Sequence, residues 1–88
     1  MNYLIIRHRV ADFAKWKPFY DAHASARAAA GLTEKELLRD ISDPNFVVLL
    51  FEAKDIAKAR ELVESASIKK AMQEGGVLGA PEFQFLQR

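Results

Sequence analysis

The sequence contains no cysteine, which rules out disulfides and thiolate-ligated zinc. It also lacks an excess of either charge. Thirteen Lys and Arg stand against twelve Asp and Glu, for a net charge of +1, and the two signs are interspersed along the chain. A nucleic-acid binder usually concentrates basic residues on one face, so no nucleic-acid partner is expected. No apolar run approaches the roughly 20 residues that cross a bilayer. The apolar start YLII is interrupted at once by Arg7, His8 and Arg9, so neither a secretory leader nor a membrane partner is expected, and the expected location is the cytoplasm. No repeat, low-complexity linker, P-loop or nucleophile elbow is present.

Half of the 88 residues are hydrophobic, so the chain has the material for a core. Its length allows a single domain over 1–88. A chain this short buries only roughly 60–65% of its unfolded surface and gains much from a partner subunit. Residues 3–10, YLIIRHRV, predict a strand. Asp12 can cap a first helical turn over 12–17, which then runs, with a kink at Pro18, into an alanine-rich helix at 18–30 closed by Gly31. A strand at 36–41 and the stronger strand FVVLLFEA at 46–53 flank the turn signal Asp43-Pro44-Asn45. Asp55 caps the helix IAKARELVESA, and Ser67 can cap IKKAMQE, which Gly75 and Gly76 close. GVLGAP reads as a connection to a last strand at 82–87.

That order predicts an α+β fold of the ferredoxin-like, split βαβ type, with a four-stranded antiparallel sheet, helices on one face and the first and third strands in its centre. In the third strand Phe46, Val48 and Leu50 point one way and Val47, Leu49 and Phe51 the other. Both faces are apolar and the helices cover one, so a second copy of the sheet is expected on the other: a homodimer.

One helix face carries an anomaly. Phe13, Trp16, Tyr20, His23 and Arg27 follow at offsets of three and four, where an all-core stripe would end in Leu or Ile. His23 and Arg27 can lie at the stripe's edge, with Arg27 paired to Glu34, Glu52 or Asp40 and its stem covering apolar surface. Alternatively they supply the polar groups of a cavity walled by Trp16 and Tyr20, with space left by Ala24 and Ala28. His8 continues the row Leu4, Ile6, Val10, as a core histidine or as a base in the same cavity, since imidazole titrates near 6.5. Glu52 can orient a histidine or pair an arginine, or simply mark where the strand emerges into water. Met72 fits a core position or the cavity lining. The histidines form no metal-binding pattern, so no metal is expected.

Taken together, RHRVADFAKWKPFYDAH, LLRDISDPNFVVLLFEA and the KKAMQEGGV ending resemble the cyclase-like, antibiotic-biosynthesis-monooxygenase-like proteins of the dimeric α+β barrel superfamily. The family-like positions are Arg7, His8, Trp16, His23, Arg27, Asp43, Pro44, Phe51, Glu52, Met72, Gly75 and Pro81. The resemblance implies a dimeric barrel and a relation to oxygenases of phenolic polyketides that use no cofactor. It does not extend to haem degradation, whose iron-binding histidine lies on the second long helix, because both histidines here fall within the first 23 residues.

Two functions follow as expectations. As an enzyme, the protein would hold an aromatic or polyketide-like substrate with Trp16, Tyr20, Glu52 and Met72, while His23 or His8 removes a proton and Arg27 stabilises the oxyanion. As a binding or structural homodimer it would hold a small aromatic or anionic ligand without turnover. Cavity volume discriminates: a polycyclic substrate needs about 300 Å³ or more.

Overall fold

The strand at the amino end, β1 (Asn2–Val10), buries Leu4, Ile6, His8 and Val10 and leaves the alternate residues half-buried or exposed. The computed structural model, which describes all 88 residues, sets this strand beside the one at Phe46–Ala53 in an unbroken antiparallel register from Asn2↔Ala53 to Arg9↔Phe46. Four strands, β1, β2 (Leu32–Arg39), β3 (Phe46–Ala53) and β4 (Val77–Gln87), form one sheet in the order β2-β3-β1-β4. The two central strands are those the sequence predicts, and the architecture is ferredoxin-like α+β. Because His8 pairs with Val47 and Ile6 with Leu49, the row Val47, Leu49, Phe51, Ala53 shares the helix-covered face with Leu4, Ile6, His8 and Val10.

The helices cover that face. In α1 (Phe13–Ala22) the Asp12 carboxylate accepts from Ala14 N at 2.9 Å and the Asn45 side chain accepts from Phe13 N at 3.0 Å. The expected kink at Pro18 does not divide the helix. The chain passes through Pro18 in helical form and breaks at His23, before α2 (Ala24–Ala29). Proline costs the helix one amide donor, whereas at His23 side chains take over the carbonyls of the last turn, and the break settles there.

The second helical region divides two residues earlier than expected. Asp55 caps α3 (Ile56–Glu64), as predicted, but Ser65 rather than Ser67 caps α4 (Ala66–Glu74). The Ser65 hydroxyl donates to the Leu62 carbonyl at 2.7 Å and accepts from Ile68 N at 3.2 Å, closing one helix and opening the next. The core joins Trp16 of α1 and Ala59 and Val63 of α3 to the buried strand rows.

Two strand boundaries also differ from expectation. β2 begins at Leu32, not at 36, because its pairing with β3 extends from Leu32↔Ala53 to Arg39↔Val47. Ile41 falls outside it and is fully exposed, while the Asp40 carboxylate gathers the amides of Ser42 and Asp43 into the turn. GVLGAP is not a free connection: β4 starts at Val77 and pairs with β1 at Val10↔Val77 and Arg9↔Leu78. Its register then shifts, resuming at Arg7↔Glu82, so Gly79-Ala80-Pro81 bulges out beside His8. Pro81 is tolerated because β4 is an edge strand and the bulge demands no ladder bond there.

Candidate functional site

Between α1, α4 and the sheet lies a chamber of about 60 Å³, lined mostly by apolar side chains. The structure brings His8, Trp16, Tyr20, His23, Arg27 and Met72 together in its wall. Glu52 is not among them. It projects from the opposite face of the sheet, where its carboxylate lies 3.3 Å from the Lys35 ammonium. The separation follows from strand parity, since Glu52 alternates with Phe51 and Ala53, which face the helices.

An aromatic ladder builds the chamber's side. Trp16 stacks on Tyr20 with ring centroids 4.9 Å apart, and His8 meets Trp16 edge-on at 5.4 Å. Trp16 is the sole tryptophan and is almost fully buried. Gly75, closing α4, packs closely against α1 beside this ladder. A Cβ there would stand 3.3 Å from Phe19 Cβ and 3.5 Å from Trp16 Cδ1.

The two polar residues of the stripe serve the end of α1 and face the chamber at once. His23 Nδ1 lies 2.8 Å from the Phe19 carbonyl. A carbonyl only accepts, so this nitrogen carries a proton, and in the neutral ring the lone pair sits on Nε2. Arg27 donates to the Tyr20 carbonyl at 2.6 Å and lays its guanidinium over the Tyr20 ring, 3.7 Å from the centroid. None of the carboxylates anticipated as its partner, Glu34, Glu52 or Asp40, forms an ion pair with it. Glu34 instead accepts the Tyr20 hydroxyl at 2.7 Å. Burial, and then that hydrogen bond, push the Tyr20 phenol well above its usual range, so it remains a donor.

His8 is the most enclosed polar group of the site, only 3% exposed, and its Nδ1 meets no hydrogen-bonding group of another residue. Burial lowers its pKa below 6.5, and the ring is neutral at physiological pH. A buried polar atom without a partner costs about 1–3 kcal/mol, which a ligand or water in the chamber would recover. Phe19, Leu62, Ile68 and Ala71 also line the chamber and were not singled out from the sequence. Their signal was the helical spacing of Ile68, Ala71 and Met72 along α4. No three His, Cys, Asp or Glu side chains cluster closely enough to hold a metal ion.

No family model matches the sequence, and no curated protein does. Solved structures match it in shape. A protein from Bordetella bronchiseptica assigned as an antibiotic biosynthesis monooxygenase has a TM-score of 0.78 at 15% identity, covering 99% of this chain and 95% of its own. One of the same assignment from Caulobacter crescentus has a TM-score of 0.72 at 16% identity, over 99% of this chain and 88% of the other. SnoaB, a cofactor-independent oxygenase from Streptomyces nogalater, has a TM-score of 0.73 at 15% identity, over 99% and 91%. At such identities the likeness establishes the fold: this chain has the ferredoxin-like α+β fold of the antibiotic biosynthesis monooxygenase structures.

Proposed function

We propose that this protein is a homodimeric small-molecule enzyme of the cofactor-independent monooxygenase or cyclase-like type, acting on an aromatic, polyketide-like substrate. The observation that carries the reading is the convergence of a neutral buried imidazole, a second imidazole with a free Nε2 and a guanidinium on one largely apolar chamber walled by stacked aromatic rings. Such a site suits removal of a proton from an acidic C–H or phenolic O–H. His23 Nε2 accepts the proton, His8 can hold a substrate hydroxyl, and the uncommitted Arg27 N–H groups stabilise the enolate or phenolate. In an oxygenation, the enolate carbon forms a C–O bond to dioxygen, the peroxide takes up the proton, and its O–O bond breaks with loss of water to leave a carbonyl on that carbon. In a cyclisation the enolate carbon attacks a carbonyl of the same substrate.

The dimer rests on the second sheet face. Tyr3, Ile5, Phe46, Val48 and Leu50 are only half-buried there, and Leu38 and Leu86 remain 52% and 37% exposed. A second copy packed on that face would bury them and produce the α+β barrel. Oxygen uptake with dithranol, a phenolic anthrone with an acidic methylene, tests the enzymatic reading. Uptake above the spontaneous rate is expected for the wild type, with a loss of about 100-fold in His23→Ala. Equal rates with and without protein would contradict it.

A second reading, a homodimer that binds a small ligand without turnover, is favoured by the size of the chamber. About 60 Å³ is well below the roughly 300 Å³ of an ordinary ligand pocket. The chamber by itself therefore accommodates a polar head group rather than a whole polycycle.

A further inference from the structure

We propose that the chamber is the inner end of a longer site, that a cavity between α4 and the bulged start of β4 is its outer part, and that Met72 is the movable partition between them. The joined site would take an elongated amphipathic acid: a flat apolar body with a hydroxyl or carbonyl head inward and a carboxylate outward at Lys69. This inference rests on the reading of the inner chamber as a ligand site.

The outer cavity measures about 250 Å³, and Val63 and Met72 line both spaces. Together the two exceed the roughly 300 Å³ at which ligand pockets begin, which neither reaches alone. The two dividing side chains differ in stiffness. Val63 is β-branched and buried in α3, whereas Met72 is unbranched, half-buried and free to change rotamer about three bonds. The partition therefore opens at Met72.

Sequence sets up the outer cavity directly. The register shift in β4 carries Gly79 and Pro81 away from β1. Gly79 has φ +68°, and beyond its chain neighbours nothing lies within 4 Å of where its Cβ would be, so the space beside it stays open. Pro81, Val77 and Phe83 give this cavity an apolar wall. At its rim Lys69 makes no ion pair, although its neighbour Lys70 faces Glu74 at 4.0 Å. An unpaired ammonium beside an apolar wall matches a flat acid whose carboxylate stays near water. Inward, the uncommitted Arg27 N–H groups can donate to a carbonyl head, and His23 Nε2 can accept from a hydroxyl one.

The test uses anthraquinone-2-carboxylate and its neutral analogue 2-(hydroxymethyl)anthraquinone, with calorimetry for affinity and emission of Trp16, the only tryptophan, for occupancy of the inner chamber. Wild type should bind both compounds and lose Trp16 emission. Met72→Phe, which replaces the flexible partition with a rigid ring and leaves Trp16 the only tryptophan, should weaken both about tenfold. Lys69→Gln should weaken the carboxylate about threefold and leave the alcohol unchanged. Lys69 is exposed, so this arm does not depend on the folding of the Met72 variant.

Failure of the wild type to bind either compound, binding without a change in Trp16 emission, or equal effects of Lys69→Gln on both compounds would each overturn the joined site. The outcomes separate from those for catalysis. The expected affinities without oxygen uptake from dithranol would sink the enzymatic reading alone. Uptake from dithranol, with affinities indifferent to Met72 and Lys69, would sink the joined site alone.

Discussion

An imidazole sealed from water and without a partner at Nδ1 resists protonation, and for His8 that resistance makes stability depend on pH. Above 6.5 the ring is neutral in both the folded and unfolded chain, and its contribution is complete. Below 6.5 the unfolded chain binds a proton that the folded chain refuses, so stability falls with falling pH until the lowered folded pKa is passed. The slope from this one group reaches at most about 1.4 kcal/mol per pH unit. Thermal melts at pH 7.5 and pH 5 should show a loss of stability in the wild type that shrinks in His8→Leu. An identical loss in both proteins would mean that His8 is not held neutral by the fold.

The sequence made His23, Arg27 and His8 visible because each interrupts an apolar row of helical or strand period. Glu52 falls outside the chamber for a physical reason. Both rows of β3 are apolar, so alternation shows which residues share a face but not which face the helices cover. Only the register with β1, which places His8 opposite Val47, decides it.

Among the elements, the contact between the end of α4 and α1 shapes the chamber. Gly75 allows it, with Ala71 O and Phe19 Cβ both 3.3 Å from where a Cβ would stand. Gly75→Ala should therefore push α4 from Phe19 and destabilise the protein by about 1–3 kcal/mol, read as a lower midpoint in chemical denaturation. A midpoint at or above that of the wild type would show that α1 yields without cost. Element order and type were legible from caps and apolar period: Asp12 and Asp55 both cap where the sequence places them. What escaped were choices between near-equal local options. Ser65 and Ser67 are both competent caps, and the winner is the one whose hydroxyl also reaches the Leu62 carbonyl. The start of β4 was hidden because Gly79 and Pro81 carry a loop's composition, while pairing with β1 at Val77 and Leu78 makes the segment a bulged strand.

At the scale of the whole molecule, the sheet presents one face to helices and leaves the other, also apolar along β3, uncovered. The apolar second face of β3 was plain in the sequence, and the structure leaves Val48 and Leu50 partly open to solvent. Chamber size was not legible, because it depends on how closely α1 and α4 approach the sheet rather than on residue types. Native mass spectrometry, with and without anthraquinone-2-carboxylate, joins the two halves of the account. The expected spectrum is a dimer of the 9.9 kDa chain that gains ligand mass when the compound is added and dissociates to monomer in Leu50→Lys. A wild-type monomer, or a dimer that takes up no ligand, would contradict it.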